Sequence, residues 1–446
     1  MADLAIKSKN ILTPGGIQAG VVIISNGKIT EVISGQDYNG TAEDVGDSIV
    51  MAGLIDPHVH INEPGRTDWE GFDTATRAAA AGGITTLIEM PLNASPVTTT
   101  KGNFKLKQDA AKNKLHVNCG FWGGVVPDNL NELEGLLESG VFGLKAFLTH
   151  SGIDDFPNTS GDDLRKALLI LKKYDKPLLV HCELDEENPD NIFLEQKPRS
   201  YSAYLKSRPK AWENKAIKLM IDLCRETGAR VHIVHLSSAE SIAPIQKAKA
   251  EGLPLTVETC PQYLFFNAED IPDGDTRYKC APPIREKANN EQLWQAVKDG
   301  TIDFIVTDHS PAPPNLKEIE SGNLKKAWGG IAGLQFLLPS VWTKAKERGF
   351  TIEQFAKLTS GNAAKFIKLN SQKGSIAKGM DADIVVWNPH KKFKVEAGMI
   401  QHRHKITPYE NLDLSGLTEQ TYVNGKKVYD KGNFIDLSEG KLLLQQ

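Results

Sequence analysis

Two rhythms divide the chain. From Leu4 to about Val50, apolar and polar residues alternate in short runs, the period of a half-buried strand. Within them, VVIISNGKITEVI sets Asn26-Gly27 between two such runs, the signal of a two-residue hairpin turn. The far end repeats the style. ADIVVWNP reads as a strand, and TYVNGKKVYDKG as a second hairpin turning at Asn424-Gly425. Two all-β pieces at opposite ends can pair into one small domain, because chain termini often lie close together.

Between these pieces the pattern becomes strand, loop, helix, repeated. Apolar runs predict strands over 54–60, 84–90, 117–122, 143–148, 177–181, 231–235, 254–259 and 303–307. Helical spacing predicts 70–81, stopped by Gly82-Gly83, then 161–174, and 212–227, stopped by Gly228. Eight strands alternating with helices argue for a (β/α)8 barrel. A doubly wound open sheet is the competing architecture, weakened because no G-x-G-x-x-G follows the first strand. The expected organisation is a TIM-like barrel over 53–374 and a composite β-sandwich from 1–52 plus 375–446.

Composition narrows the class. With 24% charged residues, 40% hydrophobic ones and a net charge of -4, an ordinary soluble globular protein is expected. No Lys/Arg block stands out, so neither nucleic acid nor an anionic membrane is expected as a partner. No apolar run approaches the ~18 residues of a membrane span, and Met1-Ala2-Asp3 leads into a strand pattern, not a signal peptide. Five cysteines without a C-x-x-C suggest buried thiols in a reducing cytoplasm.

Candidate chemistry gathers at the ends of the predicted strands. The first closes on His58-Val59-His60, and side chains two apart leave the same face, so both imidazoles can meet one metal ion. Lys145 lies in VFGLKAFL, where an unpaired ammonium is costly. It either snorkels to the strand end or stays neutral enough to take up carbon dioxide and become a bridging carbamate. His181 closes KPLLVHCE, His235 closes RVHIVHLSS, and Asp308 closes DFIVTDHSP. Singly, each histidine reads as structural and the aspartate as a turn cap. His232, three positions before His235 and on the opposite face of its strand, is assigned a structural role. Jointly, imidazole and carboxylate donors on five strand ends fit divalent metals. Two such metals can hold one hydroxide and polarise a carbonyl together. No Gly-x-Ser-x-Gly elbow and no Cys/His nucleophile pair competes.

At this point the chain resembles the amidohydrolase superfamily, in its cyclic-amide branch of dihydroorotases, hydantoinases and allantoinases. The resemblance implies metal ligands at His58, His60, Lys145 as carboxylysine, His181, His235 and Asp308, holding two divalent ions, with zinc as the metal. Within the branch, HVHINEPGRTDWEGF, MPLNASPVTT, FLTHSGIDDFP and AWGGIAGLQ are most similar to the allantoinases. Asn62 stands where dihydroorotases carry an arginine for a substrate carboxylate, and a neutral amide replaces that pair poorly. The resemblance further implies that Asn62 and Asn93 meet a neutral cyclic ureide. His150 takes the place of a hydantoinase tyrosine, and backbone at Cys280-Ala281 and Gly329-Gly330 holds the ring. The implied reaction opens the ring of allantoin to allantoate by a metal-activated hydroxide, with Asp308 moving the proton. Another cyclic ureide is the alternative substrate, and a non-catalytic scaffold of the same fold the alternative class. The branch also implies a homotetramer.

Overall fold

In the computed structural model, which describes residues 3–35, 38–435 and 439–445, two parallel sheets occupy the middle of the chain. Leu54–Val59, Ile84–Glu89 and Asn118–Phe121 form one. Gly123–Gly124, Leu144–Phe147, Leu178–His181, Val231–Ile233, Leu255–Thr259 and Phe304–Ile305 form the other, each strand beside its neighbour in sequence. The sheets adjoin at both margins. Phe142 N donates to Phe121 O at 2.9 Å, and His60 N donates to His309 O at 2.8 Å. Every residue of these strands except Thr256 is buried, as expected for parallel strands covered on both faces.

The helices follow their apolar stripes. Gly161–Tyr174 buries Leu164, Ala167, Leu168 and Leu171, one face of a 3.6-residue period. Ser160 and Asp163 close a capping box at its start. Lys210–Thr227 starts two residues before the expected Trp212, since extended Pro209 serves as its N-cap, and it stops at left-handed Gly228. The helix expected from Glu70 begins at Phe72. Gly71, at φ 131°, breaks the helical path, and the Glu70 carboxylate accepts instead from the Thr74 hydroxyl and the Arg403 amide.

Both ends of the chain meet in one nine-stranded mixed sheet. Ile49–Ala52 pairs with Leu4–Thr13 in parallel and with Ile384–Lys394 antiparallel, Ile384 facing Ala52 and Val386 facing Val50. Ile6, Val22, Ile24, Val50, Ile384, Val386 and Tyr422 give this sheet a core of its own. Both expected hairpin turns are present, with φ of 52° and 73° at Asn26-Gly27 and 51° and 80° at Asn424-Gly425. Two consecutive positive φ values are what a type I′ turn requires. The turns touch: a Cβ on Gly27 would come within 2.8 Å of Asn424 O. After them the chain returns to the parallel strands, where Cys119 N donates to Lys441 O and Leu443 N to Cys119 O. No helix among the described residues is long and apolar enough to cross a membrane.

Candidate metal centre

The parallel strands deliver six side chains to the floor of one cavity of about 450 Å³: His58, His60, Lys145, His181, His235 and Asp308. These are the six ligand candidates read from the sequence. His58 Nε2 and His60 Nε2 lie 3.2 and 3.6 Å from Asp308 Oδ1. Opposite them, His181 Nδ1 lies 3.0 Å from His235 Nε2. The His58 and His235 ring centres are 5.5 Å apart, so the two groups are neighbours. Lys145 Nζ is fully buried and has no hydrogen-bond partner among the described residues, and it lies 4.9 Å from the Phe147 ring centre. The Phe147 ring in turn stacks on His181.

The backbone is bent to make this arrangement. Asn62, His235 and Asp308 hold φ of 67°, 39° and 48°. Non-glycine residues in that region each cost about 1–3 kcal/mol and persist where the surroundings over-determine them. Three carboxylates do much of that. Asp56 accepts from His58 N at 3.1 Å and from the Thr307 hydroxyl at 2.5 Å, fixing both strand ends. Glu258 accepts from His58 Nδ1 and lies 3.0 Å from His232 Nε2. Glu183 lies 2.8 Å from His181 Nε2 and pairs with Arg208 through two contacts. His60 Nδ1 donates to Leu92 O at 2.9 Å, which turns its Nε2 lone pair toward Asp308. The sequence reading missed Asp56, Glu183 and Glu258. Two of them carried a signal, since Asp56 is two residues before His58 and Glu183 two after His181, on the same strand faces. His232 has the structural role expected of it, held between Thr256 and Glu258.

The charges suit a cation. Burial lowers His60 and His181, and holds His235 well below the usual range, so these imidazoles are neutral donors. Burial also opposes charge on His58, but the Glu258 and Asp308 carboxylates outweigh it and raise His58 to about 9. Burial resists ionisation of Asp308 as well, yet His58 and its neighbours hold that carboxyl well below the ordinary value. Burial lowers Lys145 to about 8 against the pull of Asp308 and Glu258. Neutral His60, His181 and His235, the ionised Asp308 and the unpartnered Lys145 amine are a donor set that fits divalent metals, and His58 joins it on losing its Nε2 proton.

The remaining candidates separate by depth. Asn93 and Ala281 line the cavity, with Gly329 beside them. His150 lines its mouth, more than half exposed, with Nε2 3.3 Å from Asp154. Asn62 is fully buried behind Asn93, whose amide donates to Asn62 Oδ1 at 3.4 Å. Cys280 is buried off the wall. Its carbonyl accepts from the Tyr204 hydroxyl at 2.7 Å, and burial pushes its thiol up to about 12. Gly330 also lies off this wall and is glycine for a steric reason, as a Cβ there would meet Ser310 O at 2.3 Å.

A family model described as the amidohydrolase family matches residues 49–428. The chain belongs to the amidohydrolase family. Among amidohydrolase relatives, it is 46% identical to the allantoinase of Arabidopsis thaliana, covering 98% of this chain and 90% of that one. It is 44% identical to the allantoinase of Streptomyces avermitilis, over 100% and 99% of the two chains. A solved amidohydrolase structure, the L-hydantoinase (dihydropyrimidinase) from Arthrobacter aurescens, superposes with a TM-score of 0.92 at 28% identity over the full length of both. Family members are binuclear metal enzymes, and the grouping of His58, His60 and Asp308 is consistent with that.

One expectation about this amidohydrolase cavity changes. With Asn62 alone in view, the pocket offered no cation to an anionic substrate. In fact Arg208, Lys279, Lys325 and Lys326 all line it. Arg208 is committed to Glu183, and Lys325 to Glu195 at 2.7 Å. Lys279 donates to the Ala327 carbonyl, and burial lowers it to about 7. Lys326 is paired with no carboxylate among the described residues. Selectivity against a carboxylate-bearing ring therefore cannot rest on Asn62 alone.

Proposed function

We propose that this protein is an allantoinase, a hydrolase that opens the cyclic amide of allantoin to allantoate. The observation that carries the substrate is identity of 44–46% with allantoinases over nearly the whole chain, against 28% with the hydantoinase of the same fold. The metal ligands in this reading are His58, His60, His181, His235, Asp308 and Lys145, the last as a carbamate. The buried, unpartnered Nζ supports it: a neutral amine adds to carbon dioxide, forming the N–C bond of a carbamate and releasing one proton. Two divalent metals, zinc in this reading, supply when bound a water nucleophile at neutral pH and polarise the scissile carbonyl.

The chain's own residues do the rest. Asp308 accepts the proton of the attacking water at its carboxylate and returns it to the leaving ring nitrogen. Glu258, Glu183 and Asp56 hold His58, His181 and the Thr307–Asp308 turn in place. Asn93 offers an amide to the ureido arm, with Asn62 fixing its orientation. His150 at the mouth is the side chain this reading assigns to the developing oxyanion, and backbone at Ala281 and Gly329 seats the ring.

The architecture in this reading is a (β/α)8 barrel over 53–374 carrying a β-sandwich from 1–52 plus 375–446. The two marginal hydrogen-bond links between the parallel sheets support the closure. The same reading makes the protein cytoplasmic, which five buried unpaired cysteines favour, and a homotetramer. A panel of allantoin, hydantoin, dihydrouracil and dihydroorotate tests the substrate, with kcat/KM highest for allantoin. Turnover of dihydroorotate equal to or above that of allantoin overturns the assignment. Metal analysis showing less than one ion per chain overturns the centre.

A further inference from the structure

A second cavity, of about 580 Å³, opens at the other ends of the same strands. The metal centre collects residues at strand C-termini, whereas this cavity is walled by residues at the starts of Val231–Ile233, Leu255–Thr259 and Phe304–Ile305. Its cations are Arg230, Lys298, Lys357 and Lys365. Arg230 donates only to carbonyls, those of Asp175 and Phe366, each at 3.0 Å. Lys298, Lys357 and Lys365 make no ion pair among the described residues. The two carboxylates present are already satisfied. Asp299 accepts from the Thr301 amide and hydroxyl, and Asp303 pairs with Lys249 at 2.6 Å. The floor is apolar, built from Phe350 and Phe366, with the fully buried Phe304 packed against Phe366. A π-turn, Lys357–Gly361, forms part of the wall, a distortion common at binding sites.

One imidazole separates this cavity from the metal centre. Thr256 lines the cavity, and its hydroxyl lies 2.8 Å from His232 Nδ1. His232 Nε2 lies 3.0 Å from Glu258, which accepts from His58. Phe304 stacks on the His232 ring at 5.2 Å, and Phe366 lies 4.3 Å from it. A ligand on the phenylalanine floor would therefore press on the residue that positions Glu258.

We propose that this cavity binds a small amphipathic carboxylate, its ring or alkyl part on Phe350 and Phe366 and its charge facing Arg230 and the lysines, and that Thr256, His232 and Glu258 transmit its binding to the metal centre. Binding stands apart from the hydrolase reading, whereas transmission rests on it. Equilibrium dialysis of the metal-loaded full chain against benzoate, with benzylamine as its cationic counterpart, tests the site. Benzoate binds at one equivalent and benzylamine does not. Lys357→Glu/Lys365→Glu, two exposed positions that tolerate polar exchange, weakens benzoate at least tenfold, whereas Lys145→Ala, on the other side of the barrel, leaves it within about threefold. Saturating benzoate changes kcat/KM for allantoin at least twofold in wild type, and Thr256→Val removes that change while keeping the dialysis result. No benzoate uptake at millimolar concentration, or equal uptake of benzylamine, overturns the site. Uptake lost in Lys145→Ala but kept in the double variant places benzoate on the metals and overturns it as well. Bound benzoate with unchanged kinetics overturns the transmission. An enzyme inactive on allantoin would refute the hydrolase reading and leave the dialysis arms readable.

Discussion

Lys145 gives the sharpest quantitative expectation. Only its neutral amine can capture carbon dioxide, and burial lowers the group from an ordinary value of 10.5 to about 8. At pH 7 the neutral fraction is then about one-tenth, against roughly three in ten thousand for an unperturbed lysine, a gain of about 300-fold. Raising the pH to 9 brings the neutral fraction to about nine-tenths, so carbamate formation should rise about tenfold between pH 7 and 9 and then level off. The perturbation is removal of metal and carbamate by chelation at mildly acidic pH, followed by return to zinc at a fixed concentration of dissolved carbon dioxide. Recovery of allantoin hydrolysis gives the rate, and carbon-13 NMR of the labelled carbamate gives the chemistry. Recovery that climbs tenfold per pH unit through pH 10 would mean an ordinary lysine, and recovery indifferent to carbon dioxide would mean no carbamate. Lys145→Ala should not recover, except in part when a short carboxylic acid supplies the missing bridge.

Four further outcomes are expected. Asp308→Asn keeps most of its metal by elemental analysis but loses about 10²–10⁴-fold in kcat, since an amide cannot carry the proton; a near-normal rate would assign the proton transfer elsewhere. Glu258→Gln loosens metal binding by about 10–100-fold through His58, with activity restored by excess zinc; a lower melting temperature with unchanged metal affinity would make Glu258 merely structural. Asn62→Arg lowers allantoin turnover without creating dihydroorotase activity, because the buried amide supports Asn93 and one cation does not rebuild a pocket; kcat/KM on both substrates decides. Leu168→Ala, at a fully buried position on the Gly161–Tyr174 helix, costs about 2–5 kcal/mol in urea unfolding, and a loss under 1 kcal/mol would show a site able to collapse.

The sequence made the elements legible where one local rule sufficed. Gly161–Tyr174 matches its expected bounds because stripe, capping box and left-handed Asp175 agree. Both Asn-Gly turns formed because that dipeptide favours the required φ values. The helix expected from Glu70 shortened because a tertiary contact to Arg403 took that side chain. At the site, all six ligand candidates converge, since strand-end position and donor chemistry are local properties. What carried no local signal depended on cross-strand geometry. Glu258 reads as one polar residue in LTVET, and only its approach to His58 from a distant strand gives it a role. The same holds for Asn62, whose place behind Asn93 no spacing rule encodes, and for Lys279, Lys325 and Lys326 of the cavity, brought there from two separate loops.

The joining of both ends in one sheet governs how the molecule is born. Ile49–Ala52 leaves the ribosome early, yet its antiparallel neighbour, Ile384–Lys394, emerges only after most of the chain has been made. Until then Ile49, Val50 and Met51, all buried in the finished protein, stand on an open edge that invites intermolecular pairing. The parallel strands can assemble as they appear, but the last core closes only once Ile384–Lys394 has emerged, a long-range pairing that is intrinsically slow. Nascent chains of this protein should therefore depend on chaperones through the final strands, and a premature stop before Ile384 yields an aggregating product, not a smaller folded enzyme.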